Sequence, residues 1–307
     1  MNLDGPGGAV ADGGGTHGVR AAGRRPHRAA VMRMTMSAPT LNHRATGYDA
    51  RQAYCMAKAA ELAYHDRDRI EATAAEWGFD RVRHHAAVFE PPFALSDAQA
   101  YTMADRRMVV TAFRGTEPAR LRDWLSDTTT PPRPGPAKTG LVHYGFAEAL
   151  RAVFPSVLRA VEELRDDERT IWFTGHGLGG ALAMLAAARL HFEDPRLAAR
   201  GVYTFGQPRT CDKSLADAYD KALAGRTFRV VNNNDVVARV PPAPPFHHVA
   251  ALRHIDSTGR VRESAPAVSG LLDRGKGLAA DPFAPASDGV RDHRVKAYLV
   301  ALEKNLP

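Results

Sequence analysis

Hydrophobic positions follow either a helical spacing or short apolar runs from about residue 46 onward. Tyr54, Met56, Ala59 and Leu62 form a stripe at helical spacing, which predicts a first helix that ends near residue 64. The unbroken apolar run at 108–113, followed by an arginine and a glycine, predicts a buried central strand. Further strands are predicted at 82–89, 98–103, 171–174, 202–205 and 228–231, and further helices at 146–165, 178–191, 215–223 and 290–302.

The alternation of strands and helices after residue 108 predicts the fold class. It indicates an α/β fold, with a mostly parallel central sheet and crossover helices that flank it. With 307 residues and 44% apolar content, the chain can bury the core of one α/β domain, which we place at 47–307. The loops at the carboxyl ends of parallel strands converge in such a sheet, so we expect the chemistry there.

Residues 1–46 are rich in glycine and arginine and poor in apolar side chains, which predicts a disordered tail. Six arginines and two aspartates give this segment +4 of the net charge of +7. It is either a basic arm for nucleic acid or membrane, or an uninformative extension from an early start codon, with Met34 and Met36 as alternative starts. The extension is favoured and no nucleic-acid partner is expected, because no aromatic residues interleave the arginines.

Targeting signals and cofactor motifs are not visible in the sequence. No stretch approaches the roughly 20 apolar residues of a membrane-spanning helix, and the first 46 residues lack the apolar block of a secretory signal. We therefore expect a cytoplasmic protein, and as a separate expectation we predict a monomer. Cys55 and Cys211 lack the paired spacing of metal sites or disulfide scaffolds, so we predict reduced thiols and expect neither metal nor cofactor.

The most specific chemical feature is the segment TGHGLGG at 174–180. It follows an apolar strand and opens an alanine-rich helix, which is the context of the G-x-S-x-G nucleophile elbow. Gly175 and Gly179 occupy the two glycine positions, where the tight turn brings backbone segments so close that side chains would clash. The position of the nucleophilic serine is occupied by Gly177.

This elbow and four other segments occur in the order in which the class 3 lipases have them, and together they resemble that family over about residues 54–302. The four segments are FRGT at 113–116, DWLSD at 123–127, VHYGF at 142–146 and FGQPR at 205–209. The class 3 lipases are an α/β-hydrolase family of lipases and related carboxylic ester hydrolases. The resemblance therefore implies an α/β-hydrolase fold and a lipid or other acyl ester as the ligand.

The resemblance also assigns the acid and the base of a catalytic triad. The acid falls on Asp235, in the run NNNDVV at 232–237, and the base on His293, in DHRVKAY at 292–298. The order nucleophile, acid, histidine is the α/β-hydrolase order. Asp235 could instead cap a turn, and His248 is the rival base, although His248 matches a structural histidine before a late strand. We favour Asp235 and His293.

Backbone groups and a short helix complete the implied site. The N–H groups of Leu178 and Thr116 would hold the oxyanion, with the Thr116 hydroxyl as a further donor. Residues 117–127 suggest a lid helix that could contact a lipid surface transiently, or a helix that simply packs on the body. Its apolar face carries Leu121, Trp124 and Leu125.

Four other histidines are assigned no direct chemistry. His143 and His176 are predicted to orient the elbow and neighbouring loops. The pair His84 and His85 is interpreted as exposed polarity on a strand.

Gly177 leaves open whether the chain is an enzyme. Glycine has no oxygen that could form an acyl-enzyme, so the covalent route of the family is excluded for this sequence. The glycine could be natural, could be a change from serine, or could leave room for a water that His293 activates. We expect an ester hydrolase that is inactive or severely impaired, with a non-catalytic lipid- or ester-binding pseudohydrolase as the alternative.

Overall fold

The computed structural model of the chain describes residues 41–88, 97–116, 130–166, 168–264 and 287–307. Two helices, α1 (Ala50–Leu62) and α2 (Arg67–Glu76), precede three strands, β1 (Arg81–Val88), β2 (Asp97–Ala104) and β3 (Met108–Phe113). A two-stranded hairpin follows, with β4 (Arg133–Pro134) and β5 (Leu141–Val142). The remaining elements are α3 (Tyr144–Leu164), β6 (Thr170–His176), α4 (Leu178–Glu193), β7 (Gly201–Phe205), α5 (Lys213–Leu223), β8 (Thr227–Asn232), β9 (Leu252–Ile255), β10 (Val261–Arg262), α6 (Asp288–His293) and α7 (Val295–Glu303).

The central sheet has the strand order β1-β2-β3-β6-β7-β8-β9-β10. Strands β3, β6, β7, β8 and β9 pair in parallel, whereas β1, β2 and β10 pair antiparallel at the two edges. The predicted mostly parallel α/β sheet is therefore confirmed. All six residues of β3 are buried, as expected for a central strand covered on both faces.

Side chains on the two faces of the sheet enter two hydrophobic cores. Val109 and Phe113 of β3 pack with α3 and α4 on one face, and Val110 packs with α1 and α7 on the other. Helix α4 has buried residues around its whole circumference, as expected for a helix inside the core. This burial fixes the start of α4 against the end of β6, where the elbow lies.

Three parts of the structure differ from the prediction. The helix expected at 290–302 is two helices, because Arg294 is extended (φ −58°, ψ 131°) and the Asp292 carbonyl accepts a hydrogen bond from the Asn232 side chain at 2.9 Å. Helix α2 was not predicted, since its sequence is mostly charged and buries only Ile70, Thr73 and Ala74. The short strand β10 was also not predicted.

Candidate active site

The elbow connects β6 to α4 through a single residue, Gly177. Its backbone has φ 57° and ψ −122°, its N–H donates to the Phe205 carbonyl at 2.8 Å, and its carbonyl accepts from the Gly180 N–H at 3.0 Å. A side chain on this backbone would be strained, because a positive φ with such a ψ is sparsely populated by L residues. Glycine therefore relaxes a turn that the surrounding hydrogen bonds hold in place.

Close backbone approach explains the two flanking glycines. A Cβ on Gly175 would collide with the backbone of Gly179, and a Cβ on Gly179 would collide with the Phe113 carbonyl. The steric reason given from the sequence for these glycines is confirmed.

Asp235 and His293 meet in the interior, although 58 positions separate them. Asp235 lies in the loop after β8, and His293 is the last residue of α6. Nδ1 of His293 lies 2.9 Å from Oδ2 and 3.0 Å from Oδ1 of Asp235, and both side chains are buried. The Tyr298 hydroxyl donates to Oδ2 at 2.5 Å, and the Val237 N–H donates to Oδ1 at 2.8 Å.

These contacts determine the charge on Asp235. Burial by itself raises the pKa of the carboxyl, but the charge and hydrogen bond of His293 and the hydrogen bond from Tyr298 outweigh burial and hold the pKa below its ordinary value. The ionised carboxylate accepts a hydrogen bond from the Nδ1–H of His293 and so fixes the orientation of the ring.

The other ring nitrogen of His293 points at Gly177. Nε2 is buried and has no hydrogen-bond partner among the described residues. A Cβ built on Gly177 would lie 3.1 Å from Nε2 and 3.3 Å from Cε1. The structure therefore brings together Gly177, at the predicted nucleophile position, with the predicted base His293 and the predicted acid Asp235.

His248, the rival base, does not reach this place. Its Nε2 contacts the Ala238 carbonyl at 2.7 Å, and burial together with Arg229 lowers the pKa of the ring well below 6.5.

Gly206 was quoted from the sequence only as part of a resembling segment, but it borders the acid–histidine pair. Its φ is +60°, and a Cβ there would lie 2.6 Å from Oδ2 of Asp235 and 2.8 Å from Nδ1 of His293. Only a residue without a side chain leaves space for the pair. A glycine directly after a buried strand, at the carboxyl edge of the sheet, was the available signal.

The predicted oxyanion donors flank the elbow. Leu178 is the first residue of α4, and N–H groups in the first turn of a helix have no acceptor within the helix. Thr116 follows Gly115, where a Cβ would collide with the His176 carbonyl, so the end of β3 lies against the elbow. The three predicted lid residues, Leu121, Trp124 and Leu125, lie outside the described residues.

The other histidines lie in different surroundings. His176 contacts His293, with ring centroids 4.4 Å apart, whereas His143 lies between Phe146 and Phe246 with centroids 5.1 and 5.2 Å away. The interpretation of His85 as exposed polarity is wrong. His85 is buried and bridges the hydroxyls of Ser156 and Thr102 at 2.8 and 2.9 Å.

Cysteines, metal sites and membrane spans add no further chemistry. Cys55 and Cys211 are free and buried, and burial raises the pKa of the Cys55 thiol to about 11. Within the described ranges, no three His, Cys, Asp or Glu side chains form a group that could hold a metal ion. Among the helices of this part of the chain, none combines the length and the apolar character needed to cross a bilayer.

The chain is similar in sequence to known lipases. The family model for lipase (class 3) matches residues 110–244. Phospholipase A1-II 6 of Oryza sativa subsp. japonica is 32% identical over 185 residues, which are 50% of this chain and 44% of that protein. The lipase of Rhizomucor miehei is 32% identical over 142 residues, which are 45% of this chain and 38% of that protein.

Solved structures give the same picture at the level of the fold. The structure of Rhizomucor miehei triacylglyceride lipase aligns with a TM-score of 0.57 at 23% identity and covers 78% of this chain and 90% of that chain. The fold is therefore that of the α/β-hydrolases. The chain spans less than half the length of the two relatives matched by sequence.

Proposed function

We propose that the chain belongs to the class 3 lipase family and is a carboxylic ester hydrolase framework for lipid or other acyl esters, in which Gly177 removes the serine-dependent route. The two relatives are named as a phospholipase and a lipase, and what these two classes share is an acyl ester substrate. The substrate class that we propose is therefore an acyl ester, without a specified head group. Loss of the nucleophile from a serine hydrolase costs on the order of 10⁶ in turnover.

Each residue of the site has a role in this proposal. With a hydroxyl at position 177, Nε2 of His293 would take its proton, while Asp235 stabilises the imidazolium that forms. The N–H groups of Leu178 and Thr116 would hold the oxyanion of the tetrahedral intermediate. In the chain as it stands, only direct attack by water could turn over an ester.

One observation carries the proposal: the unpartnered, buried Nε2 of His293 faces the α-carbon of Gly177, at 3.1 Å from the position of a Cβ. A serine hydroxyl, one bond further, would lie within hydrogen-bond reach of Nε2. The contact at 3.1 Å is tight, so the imidazole would have to move back by a few tenths of an ångström.

The test is the substitution Gly177→Ser, measured as hydrolysis of short p-nitrophenyl esters. We expect Gly177→Ser to hydrolyse the ester at least about 10³-fold faster than the chain as it stands, since the remaining groups are in place. The matched control is Gly177→Ala, which adds the same Cβ and the same backbone strain without a hydroxyl. Both variants should lose about 1 to 3 kcal/mol of stability because of the positive φ.

A second measurement separates a failed fold from a failed proposal. A fluorophosphonate, which reacts with activated serines, should label Gly177→Ser and leave Gly177→Ala unlabelled. If Gly177→Ser melts within a few degrees of Gly177→Ala yet neither hydrolyses the ester nor takes the label, the acid–histidine pair is not catalytic and the proposal fails.

A second candidate function is a non-catalytic protein that binds a lipid or ester, and the observation that favours it is Gly177 itself. Such a protein would retain its ligand rather than release products. The test is mass spectrometry of lipids that copurify with the chain as it stands and with Gly177→Ser. Intact ester in the first and its loss from the second would support binding, whereas no ester in either would count against it.

A further inference from the structure

A chain of hydrogen bonds behind the elbow joins Tyr64, which has no role assigned so far, to His176, which the sequence predicts to orient the elbow. Tyr64 follows α1, and His176 is the last residue of β6, directly before Gly177. The Tyr64 hydroxyl lies 2.8 Å from Nδ1 of His176, and Nε2 of His176 lies 2.5 Å from the main-chain carbonyl of His293. The imidazole of His176 is buried.

The direction of these hydrogen bonds follows from the chemistry of the groups. Burial, together with the neighbouring His293, lowers the pKa of His176 to about 3, so the ring is neutral and carries one N–H. A carbonyl oxygen only accepts, so this proton is on Nε2 and donates to His293. Nδ1 is then an acceptor, and the Tyr64 hydroxyl must donate to it.

The same tyrosine also contacts the end of β3. A Cβ on Gly115 would collide with the Tyr64 hydroxyl and with the His176 carbonyl. Burial raises the pKa of the Tyr64 hydroxyl, while the charge of Arg114, whose guanidinium lies 5.9 Å from the centre of the Tyr64 ring, acts in the opposite direction. The Tyr64 hydroxyl therefore packs against Gly115, next to Thr116, and the hydrogen bonds run from Tyr64 through His176 to the backbone of His293.

We infer that Tyr64 is a positioning residue, which acts through His176 to hold the His293 imidazole against position 177. Without the Tyr64 hydroxyl, Nδ1 of His176 loses its donor, and among the described residues the hydrogen bond from Nε2–H to the His293 carbonyl is the one that still holds the ring. A ring held at one end tilts more freely, and the His293 backbone that accepts its hydrogen bond moves with it. The His293 imidazole that must meet the nucleophile is then placed less accurately.

The activity test rests on the proposed function and uses the Gly177→Ser background. There, Tyr64→Phe should lower kcat about tenfold or more with KM changed less than about twofold, since misplacement of a reacting group is costly. The matched control is Tyr219→Phe, which loses a buried hydroxyl that contacts the Thr227 hydroxyl at 2.9 Å, far along the chain from the site. Tyr219→Phe should leave kcat unchanged.

Rescue by a conservative variant distinguishes positioning from general damage. A glutamine offers both a donor and an acceptor, so His176→Gln should retain most of kcat in the same background. His176→Leu can do neither and should lose about as much as Tyr64→Phe. Equal kcat values for the glutamine and leucine variants would overturn the inference that His176 transmits the positioning effect of Tyr64. We call this chain from Tyr64 through His176 to His293 the relay.

A third measurement is independent of hydrolysis. In the chain as it stands, the ¹⁵N chemical shifts of the His293 ring should change with Tyr64→Phe and stay constant with Tyr219→Phe. If Gly177→Ser is inactive, the proposed function fails but this measurement still tests the relay. Identical His293 spectra for the two phenylalanine variants would refute the inference.

Discussion

Two buried polar networks in this molecule are built from similar groups but differ in whether every histidine nitrogen has a hydrogen-bond partner. The edge network consists of His85, Ser156, Thr102 and Thr111, and both ring nitrogens of His85 have a hydroxyl partner, at 2.8 and 2.9 Å. The elbow network consists of Tyr64, His176, His293, Asp235 and Tyr298, and it leaves Nε2 of His293 without a partner among the described residues.

Under the proposed function, this difference distinguishes a structural network from a catalytic one. A buried polar group that is fully hydrogen-bonded has no capacity left for a ligand, and its role is to stabilise one packing of the core. An unpartnered ring nitrogen by itself is not diagnostic, since Nδ1 of His248 and Nδ1 of His254 share this property. His293 differs because a carboxylate holds its other nitrogen and a glycine with positive φ faces the free one.

Of the substitutions in the two networks, Asp235→Asn should have the largest effect. Oδ1 accepts the Val237 N–H, so the amide oxygen would remain there and the amide NH₂ would face Nδ1 of His293. Nδ1 would become an acceptor, and the ring proton would move to Nε2, where a base needs a lone pair. In the Gly177→Ser background we expect kcat to fall about 10⁴-fold.

The readouts for Asp235→Asn are ester hydrolysis and the ¹⁵N spectrum of His293. In the chain as it stands, the proton should appear on Nε2 after the substitution. A kcat within tenfold of that of the parent would mean that Asp235 caps a turn and does not serve the histidine.

The central parallel sheet and the elbow could be predicted because local signals specify them. The apolar run at 108–113 and the glycines around Gly177 carry their information within a few residues. The meeting of Asp235 and His293 was predicted from the family resemblance, because spacing alone could not choose between His293 and His248. The break at Arg294 was missed because its cause, the side chain of Asn232, lies 60 positions away from Asp292.

The mistake over His85 has a simple physical origin. Adjacent residues of a strand point to opposite faces, so His84 and His85 cannot both be exposed on a strand that is covered on one face. His84 contacts Glu71 near the surface, and His85 enters the interior. The alternation of side chains along the strand indicates that one histidine is buried, but it does not predict which hydroxyl groups form hydrogen bonds with that histidine.

Acid should weaken both networks, and the next prediction measures how much the edge contributes. Burial lowers the pKa of His85 to about 4 and that of His176 to about 3, both below 6.5. Above pH 6.5 neither the folded nor the unfolded state binds these protons. As the pH falls from 6.5 towards 4, the unfolded chain binds them first, so the free energy of unfolding falls by about 1.4 kcal/mol per pH unit for each histidine.

Urea unfolding between pH 6 and pH 4.5 tests this linkage. His85→Gln should reduce the slope of stability against pH by about 1.4 kcal/mol per pH unit, whatever it does to stability at neutral pH. The pKa of Asp235 lies below its ordinary value, so loss of its stabilising contribution belongs to lower pH and does not enter this range. An unchanged slope would show that His85 titrates normally in the folded state.

Thr102→Val should have the smallest effect, confined to the edge. Thr102 lies opposite Thr111 in the sheet, and its buried hydroxyl contacts both the Thr111 hydroxyl, at 2.8 Å, and Nε2 of His85. Valine keeps the shape of the side chain but leaves two buried polar groups unpaired, so we expect Thr102→Val to lose about 2 kcal/mol in the free energy of unfolding.

Ser156→Ala is the matched control. It removes a contact at a partly buried position, where water can replace the hydroxyl, so the free energy of unfolding should fall by less than about 1 kcal/mol. Because the edge network makes no contact with His293, both variants should leave kcat of Gly177→Ser unchanged, and a fall in kcat with Thr102→Val would show that the two networks are coupled.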